Sequence, residues 1–174
     1  GKADACKSVG TDLEIVHAIV KIGQYSLVPG LSIEATRLLS SLIRYSKDSE
    51  VLRISAVEKA TPLLLNLLNS PHSQLINETL VSLCLLSAPL PPIAEVVEGI
   101  DPEFLSNKIL EIIDFQEDQC PKEVKYNAFS LMFNIMKWNL NSISEQFKQS
   151  GIQEKLSPYE SDLAFIGDLK ALLI

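Results

Sequence analysis

The chain has 174 residues, 47% of them hydrophobic and 21% charged, a balance that supports one continuous packed core. A formal net charge of −7 lacks the basic stripe that nucleic acid demands, and no apolar run is long enough to span a membrane. Three scattered cysteines (Cys6, Cys84 and Cys120) point to a reduced, intracellular protein rather than a disulfide scaffold, and nothing at the N-terminus resembles a secretory signal.

Alternating β-branched patterns are absent, so the elements read as helices. Residues 1–11 read as the tail of a helix. Residues 12–25 (DLEIVHAIVKIGQY) predict a helix with Leu13, Val16, Ile19 and Val20 on one face, closed by Pro29-Gly30. A longer helix follows to Lys47, capped by Ser32 or a neighbour, and residues 48–59 form a short helix after it. Thr61-Pro62 supplies a capping residue followed by proline at the first helical position, and Leu64, Leu65, Leu67 and Leu68 give a wide apolar face. The run from Asn69 to Ser73 breaks that helix, because Pro71 cannot continue it and restricts the residue before it. Leu75, Thr79, Leu80, Leu83 and Leu86 then resume at spacings of three and four. Beyond Ser87, residues 89–92 open a third unit with a short helix at 93–99. Asp101-Pro102 caps a helix to about Phe115, and the next helix runs from Gln119-Cys120-Pro121 to near Trp138. Residues 139–174 form a shortened, less apolar unit, as a capping repeat should.

The helical pairs repeat. Aligning IEATRLLSSLI (33–43), NETLVSLCLL (77–86) and YNAFSLMFNI (126–135) matches Glu34, Glu78 and Asn127, each followed by a small residue, Ala35, Thr79 or Ala128. Leu39, Leu83 and Met132 share the next buried position, and Leu42, Leu86 and Ile135 the one after. The period is close to the roughly 40–47 residues of HEAT and armadillo repeats. The expected fold is therefore all-α: a right-handed α-solenoid of about four armadillo-type repeats, at 1–47 (truncated), 48–88, 89–138 and 139–174, in a single domain.

IEATRLLSSLIRYSKDSEV, INETLVSLCLL and CPKEVKYNAFSLMFNIM resemble the C-terminal armadillo repeats of the small-GTPase guanine-nucleotide dissociation stimulator family, smgGDS, over roughly Glu14 to Met136. The resemblance implies a cytosolic binder of Rho- and Ras-family GTPases that stimulates nucleotide release or chaperones its clients. Through those partners it would reach the endoplasmic reticulum or mitochondrial surface, without inserting into a membrane. Thr36 departs from the asparagine that the family pattern leads one to expect.

In an armadillo stack the last helix of each unit lines a concave groove. Glu34, Arg37, Ser41 and Arg44 form one polar stripe there, and Asn127, Ser130, Asn134 and Lys137 its equivalent in the third unit. The middle unit carries Asn77 beside apolar Val81 and Leu85, which suit a contact with an apolar partner patch. The predicted partner-binding residues are thus Glu34, Arg37, Arg44, Asn77, Val81, Leu85, Asn127, Asn134 and Lys137. An ordinary solvated face is the plainer alternative, and a generic armadillo adaptor for extended peptides is the rival function. A second candidate surface is acidic. Glu95, Glu98, Asp101, Glu103, Glu111, Asp114, Glu117 and Asp118 face one base, Lys108, and account for the whole net charge of −7. This reads either as a patch for a basic partner or as a solvated convex face. Signals for side-chain catalysis are missing: His17 and His72 are isolated, and no zinc spacing, phosphate loop or nucleophile motif occurs. No cofactor or metal is expected.

Overall fold

The computed structural model describes residues 1–24, 28–46, 50–51, 53–54, 60–88, 96, 99–115, 120–138 and 141–174, and no strand occurs among them. They fall into two compact units, Gly1–Ile100 and Asp101–Ile174. The first holds α1 (Lys2–Gly10), α2 (Leu13–Gly23), α3 (Pro29–Ser46), α4 (Ala60–Leu67) and α5 (Ser73–Ser87). The second holds α6 (Pro102–Asp114), α7 (Lys122–Lys137), α8 (Asn141–Gln149), α9 (Ile152–Leu156) and α10 (Ile166–Leu172), with a 3-10 turn at Ser157–Tyr159. The short helices expected at 48–59 and 93–99 lie largely outside the described residues.

Capping chemistry sets several of the boundaries. The Asp12 carboxylate accepts from the N–H groups of Glu14 and Ile15 at 3.0 and 3.2 Å, satisfying donors that α2 cannot pair internally. Asp101 does the same for α6, accepting from Glu103 and Phe104 at 3.1 and 3.2 Å, with Pro102 following it. Pro29 behaves differently from the expectation. It opens α3 instead of closing α2, because a proline lacks only an N–H that the first helical turn leaves unpaired anyway. Ser32 consequently lies inside α3, buried, and is not its cap. Thr61 is likewise already helical, since α4 includes Ala60, and its buried hydroxyl has no hydrogen-bond partner among the described residues.

In the first unit α3 packs against α1, α2 and α5, and α4 packs against α5. The aligned register holds throughout. Ala35, Thr79 and Ala128 are buried, as are Leu39, Leu83 and Met132, and Leu42, Leu86 and Ile135. Each such leucine withdrawn from water contributes about 1.5–3 kcal/mol. Thr36 is buried too, its hydroxyl donating to the Ser32 carbonyl at 2.7 Å. It therefore faces the core rather than any partner. Leu13 breaks the predicted pattern: it is 50% exposed while Val16, Ile19 and Val20 are buried. Periodicity fixes the direction of its side chain, but Leu13 is the first residue after the cap and no neighbour covers it.

In the second unit α6 packs against α7 and α8, and α7 also meets α10. Leu105, Ile109, Phe129, Met132 and Phe147 fill its core. The turn from α8 to α9 needs Gly151, whose φ of 70° lies in the left-handed region that a β-carbon disfavours. Tyr126 donates its phenol proton to Asp162 at 2.5 Å, and Tyr159 stacks at 4.9 Å from Phe129. These contacts tie the turn before α10 onto α7.

Candidate functional site

Surface residues of α3, α5 and α7 recur in the same register. Arg37, Val81 and Ser130 are half-buried, as are Ser41, Leu85 and Asn134, whereas Arg44, Ala88 and Lys137 are exposed. The polar and apolar stripes read from the sequence are thus solvent-facing on each helix. Those of α3 and α5 belong to one packed pair; that of α7 belongs to the second unit.

Within the first unit a lateral hydrogen-bond ladder joins the two helices. Arg37 Nε donates to Glu78 Oε1 at 3.0 Å, and its Nη1 donates to Glu34 Oε1 at 2.8 Å. The guanidinium pKa is raised further, first by the bond to Glu78, with Glu34 adding to it. Beneath them, the buried hydroxyls of Ser40 and Ser82 lie 2.6 Å apart. Ser40 also reaches the Thr36 carbonyl and Ser82 the Glu78 carbonyl, each at 3.0 Å. Each hydroxyl carries one proton and a carbonyl only accepts, so at any one time two of these three contacts are hydrogen bonds. Arg37 was expected as a partner-facing cation. It also links the neighbouring helices, through Glu78, which lies outside the nominated set.

The remaining nominated residues keep their surface positions. Glu34 and Arg44 are exposed, and Val81 and Leu85 leave part of their apolar surface in water. Asn77, Asn127 and Asn134 are half-buried, and each already interacts with a neighbour. Lys137 is exposed, with Nζ 4.4 Å from the centre of the Phe133 ring. That contact holds the ammonium over an aromatic face that itself packs on Phe165 at 5.2 Å.

The described members of the acidic surface are engaged within the second unit. Asp101 is a cap, and Glu103 sits in the favourable first turn of α6. Glu111 pairs with Lys108 at 2.7 Å, and Asp114 pairs with Lys155. Glu95, Glu98, Glu117 and Asp118 lie outside the described residues.

Desolvation pushes the Cys84 thiol up to about 12 and raises that of Cys120, so both hold their protons near neutrality, the wrong state for a nucleophile. Among the described residues no group of three or more His, Cys, Asp or Glu could hold a metal ion, and no helix is long and apolar enough to cross a membrane.

Against known proteins, no family model matches the chain. Rap1 GTPase-GDP dissociation stimulator 1-B of Xenopus laevis is 27% identical over 137 residues, which is 78% of this chain and 22% of that protein. The 1-A protein of the same species is 26% identical over the same extent. A computationally designed armadillo repeat protein for modular peptide recognition matches 98% of this chain and 72% of its own, with a TM-score of 0.69 at 12% identity. An engineered protein matches with the same TM-score at 17% identity. The chain has the armadillo fold and is similar to smgGDS. The resemblance read in the three sequence segments is thereby borne out, as is the all-α solenoid class. The armadillo chain spans 22% of the length of the curated relatives it matches.

Proposed function

We propose that this chain binds small GTPases of the Rho and Ras families and promotes release of their GDP, or chaperones them, by protein–protein contact. The similarity over 137 residues to two GDP dissociation stimulators carries the reading. In the first unit the contact surface is the solvent face of α3 and α5, where Val81 and Leu85 supply an apolar centre and Glu34, Arg44 and Asn77 its polar surround. In the second unit it is the solvent face of α7, with Asn127, Asn134 and Lys137. Arg37 supports that surface through its bond to Glu78. A half-exposed apolar centre with a polar rim is the usual anatomy of a non-obligate interface.

Exchange needs no side-chain chemistry. A binder that prefers the nucleotide-poor GTPase by some factor weakens GDP affinity by the same factor, since the linkage is reciprocal. About 1.4 kcal/mol of preference therefore gives tenfold weaker GDP binding. The cytosol is the compartment this reading requires.

The test is release of fluorescent GDP from Rap1 and from a Rho-family GTPase with the chain in excess, alongside pull-downs in defined nucleotide states. Faster release, or retention of the nucleotide-free form over the loaded one, is expected. Binding of extended peptides without discrimination among nucleotide states would replace this reading with that of an armadillo adaptor.

A further inference from the structure

Three hydroxyl residues in the chain stand directly before a proline: Thr61, Ser70 and Ser157. A serine or threonine followed by proline is the dipeptide that proline-directed protein kinases modify, and the fold treats the three differently. Thr61 is buried within α4, out of reach of an enzyme. Ser70 is half-buried, and its Oγ accepts the His72 N–H at 3.1 Å. Ser157 and Pro158 are both exposed. They open the 3-10 turn Ser157–Tyr159, which buries none of its residues. A segment with so little buried surface opens locally at small cost, as a serine must to enter a kinase cleft.

The partner of Ser157 sets it further apart. Lys170 Nζ, from α10, donates to Ser157 Oγ at 2.8 Å. The Lys170 carbonyl accepts from Gln153 Nε2 of α9 at 3.3 Å, which holds that turn of α10 beside the serine. A phosphoserine carries about −1.5 to −2 charges near neutrality and three acceptor oxygens. The ammonium already aimed at Oγ would then form a charge-assisted pair in place of an ordinary hydrogen bond. Glu160 is the competitor, since its carboxylate also bonds Lys170. A phosphate of nearly two charges attracts the ammonium more strongly than one carboxylate does. Lys155, two residues before Ser157, is already paired with Asp114.

We propose that Ser157 is a phosphorylation site and that Lys170 receives the phosphate, clamping α10 to the turn that precedes it. The kinase takes the group from a nucleoside triphosphate. Ser157 Oγ attacks the γ-phosphorus, the bond from that phosphorus to the bridging oxygen breaks, and the diphosphate leaves. The hydroxyl proton passes to the base of the kinase. The clamp steadies an element on which α7 leans, because Phe165, at the start of α10, packs on Phe133 at 5.2 Å. Neither Ser157 nor Lys170 belongs to the surface assigned to the GTPase, so the two readings can fail separately.

The experiment incubates the whole chain with a proline-directed serine kinase and ATP, and maps the phosphate by mass spectrometry. Ser157 should be the first site filled, and Ser157→Ala should remove that product. A phosphorus-31 pH titration of the modified chain then reads the partner. Lys170→Met should raise the second phosphate pKa by about half a unit or more, and Lys170→Arg should restore it. Glu160→Gln, an exposed change that frees the ammonium from its other acid, should lower it. If Ser70 or Thr61 fills first, or Ser157 stays unmodified, the site is refuted. A phosphate pKa unmoved by Lys170→Met and Glu160→Gln would overturn the clamp.

Discussion

Two leucines on α5, two positions apart, give the sharpest test of the helix phase on which the surface depends. Leu83 is 3% exposed and Leu85 half-exposed. Truncating either to alanine removes the outer carbons of an isobutyl group, at about 0.8 kcal/mol each. For Leu83 nearly all of that transfer energy is lost, and the packed surroundings add a void, so Leu83→Ala should cost about 3 kcal/mol, within the usual 2–5. Leu85 already has part of its surface in water, and solvent fills the dent left by truncation; Leu85→Ala should cost under about 1 kcal/mol. For a unit of some 100 residues one kcal/mol moves the midpoint by about 4–8 °C. Thermal melts followed by far-UV circular dichroism should therefore show Leu83→Ala falling by more than about 10 °C and Leu85→Ala by a few. Urea titration should give the same order. GTPase binding should follow the opposite order, with Leu85→Ala the more damaging. Equal melting losses, or a reversed order, would mean that α5 turns another face to solvent and that Val81 and Leu85 are not a contact surface.

Val81→Asp should weaken GTPase binding about tenfold or more, read by calorimetry, with the melt unchanged; undiminished binding removes α5 from the interface. Glu111→Lys with Asp114→Lys unpairs Lys108 and Lys155, so a slightly lower melt with GTPase binding retained is expected. If that double variant loses binding while Val81→Asp does not, the acidic face of α6 is the contact. Gly151→Ala forces a β-carbon into a φ of 70° and should cost about 1 kcal/mol, seen as an earlier melt; no loss would show that the turn can relax. The bond to Asp162 raises Tyr126 from 10.0 to about 12, so its stabilisation is present below pH 10 and lost as pH rises towards 12. The partner Asp162 is lowered from 3.8, chiefly by that same bond, so its stabilisation is present above that pH and lost in acid. Ultraviolet titration should show a tyrosine ionising near pH 12, and Tyr126→Phe should remove that step; absence of such a step would rule the bond out.

The period of the apolar residues carried most of the fold. Leu39, Leu83 and Met132 share a buried position because residues of one register in stacked repeats meet equivalent neighbours. Caps were legible when the chemistry was unambiguous, as at Asp101-Pro102. They were misread where a residue has two uses. Pro29 can end one helix or begin another, and Thr61 can cap a helix or be buried inside one; only the chain before each residue decides. Leu13 shows the complementary limit, since a local pattern says nothing of whether a neighbour extends far enough to cover it. The bond from Lys170 to Ser157 went unseen for a related reason. It joins two short elements whose ends the pattern does not place in space.

The bond between Arg37 and Glu78 alters what the candidate surface can offer a partner. Read from one helix, Glu34, Arg37, Ser41 and Arg44 form a stripe in which either cation could meet a partner's carboxylate. In the folded unit Arg37 is shared between two carboxylates, so the trio it forms with Glu34 and Glu78 has a net negative charge. An acidic group on a partner would be repelled there and drawn to Arg44, which is exposed on the same helix. Reversing the charge of Arg37 would place three carboxylates together on α3 and α5, disturbing the packing of the two helices as well as their outer face. A loss of GTPase binding on that substitution is therefore ambiguous between a lost contact and a shifted helix. Val81 carries no such bond and stands in the same register, so the loss of binding on Val81→Asp, with the melt preserved, is the observation that assigns this face to the partner.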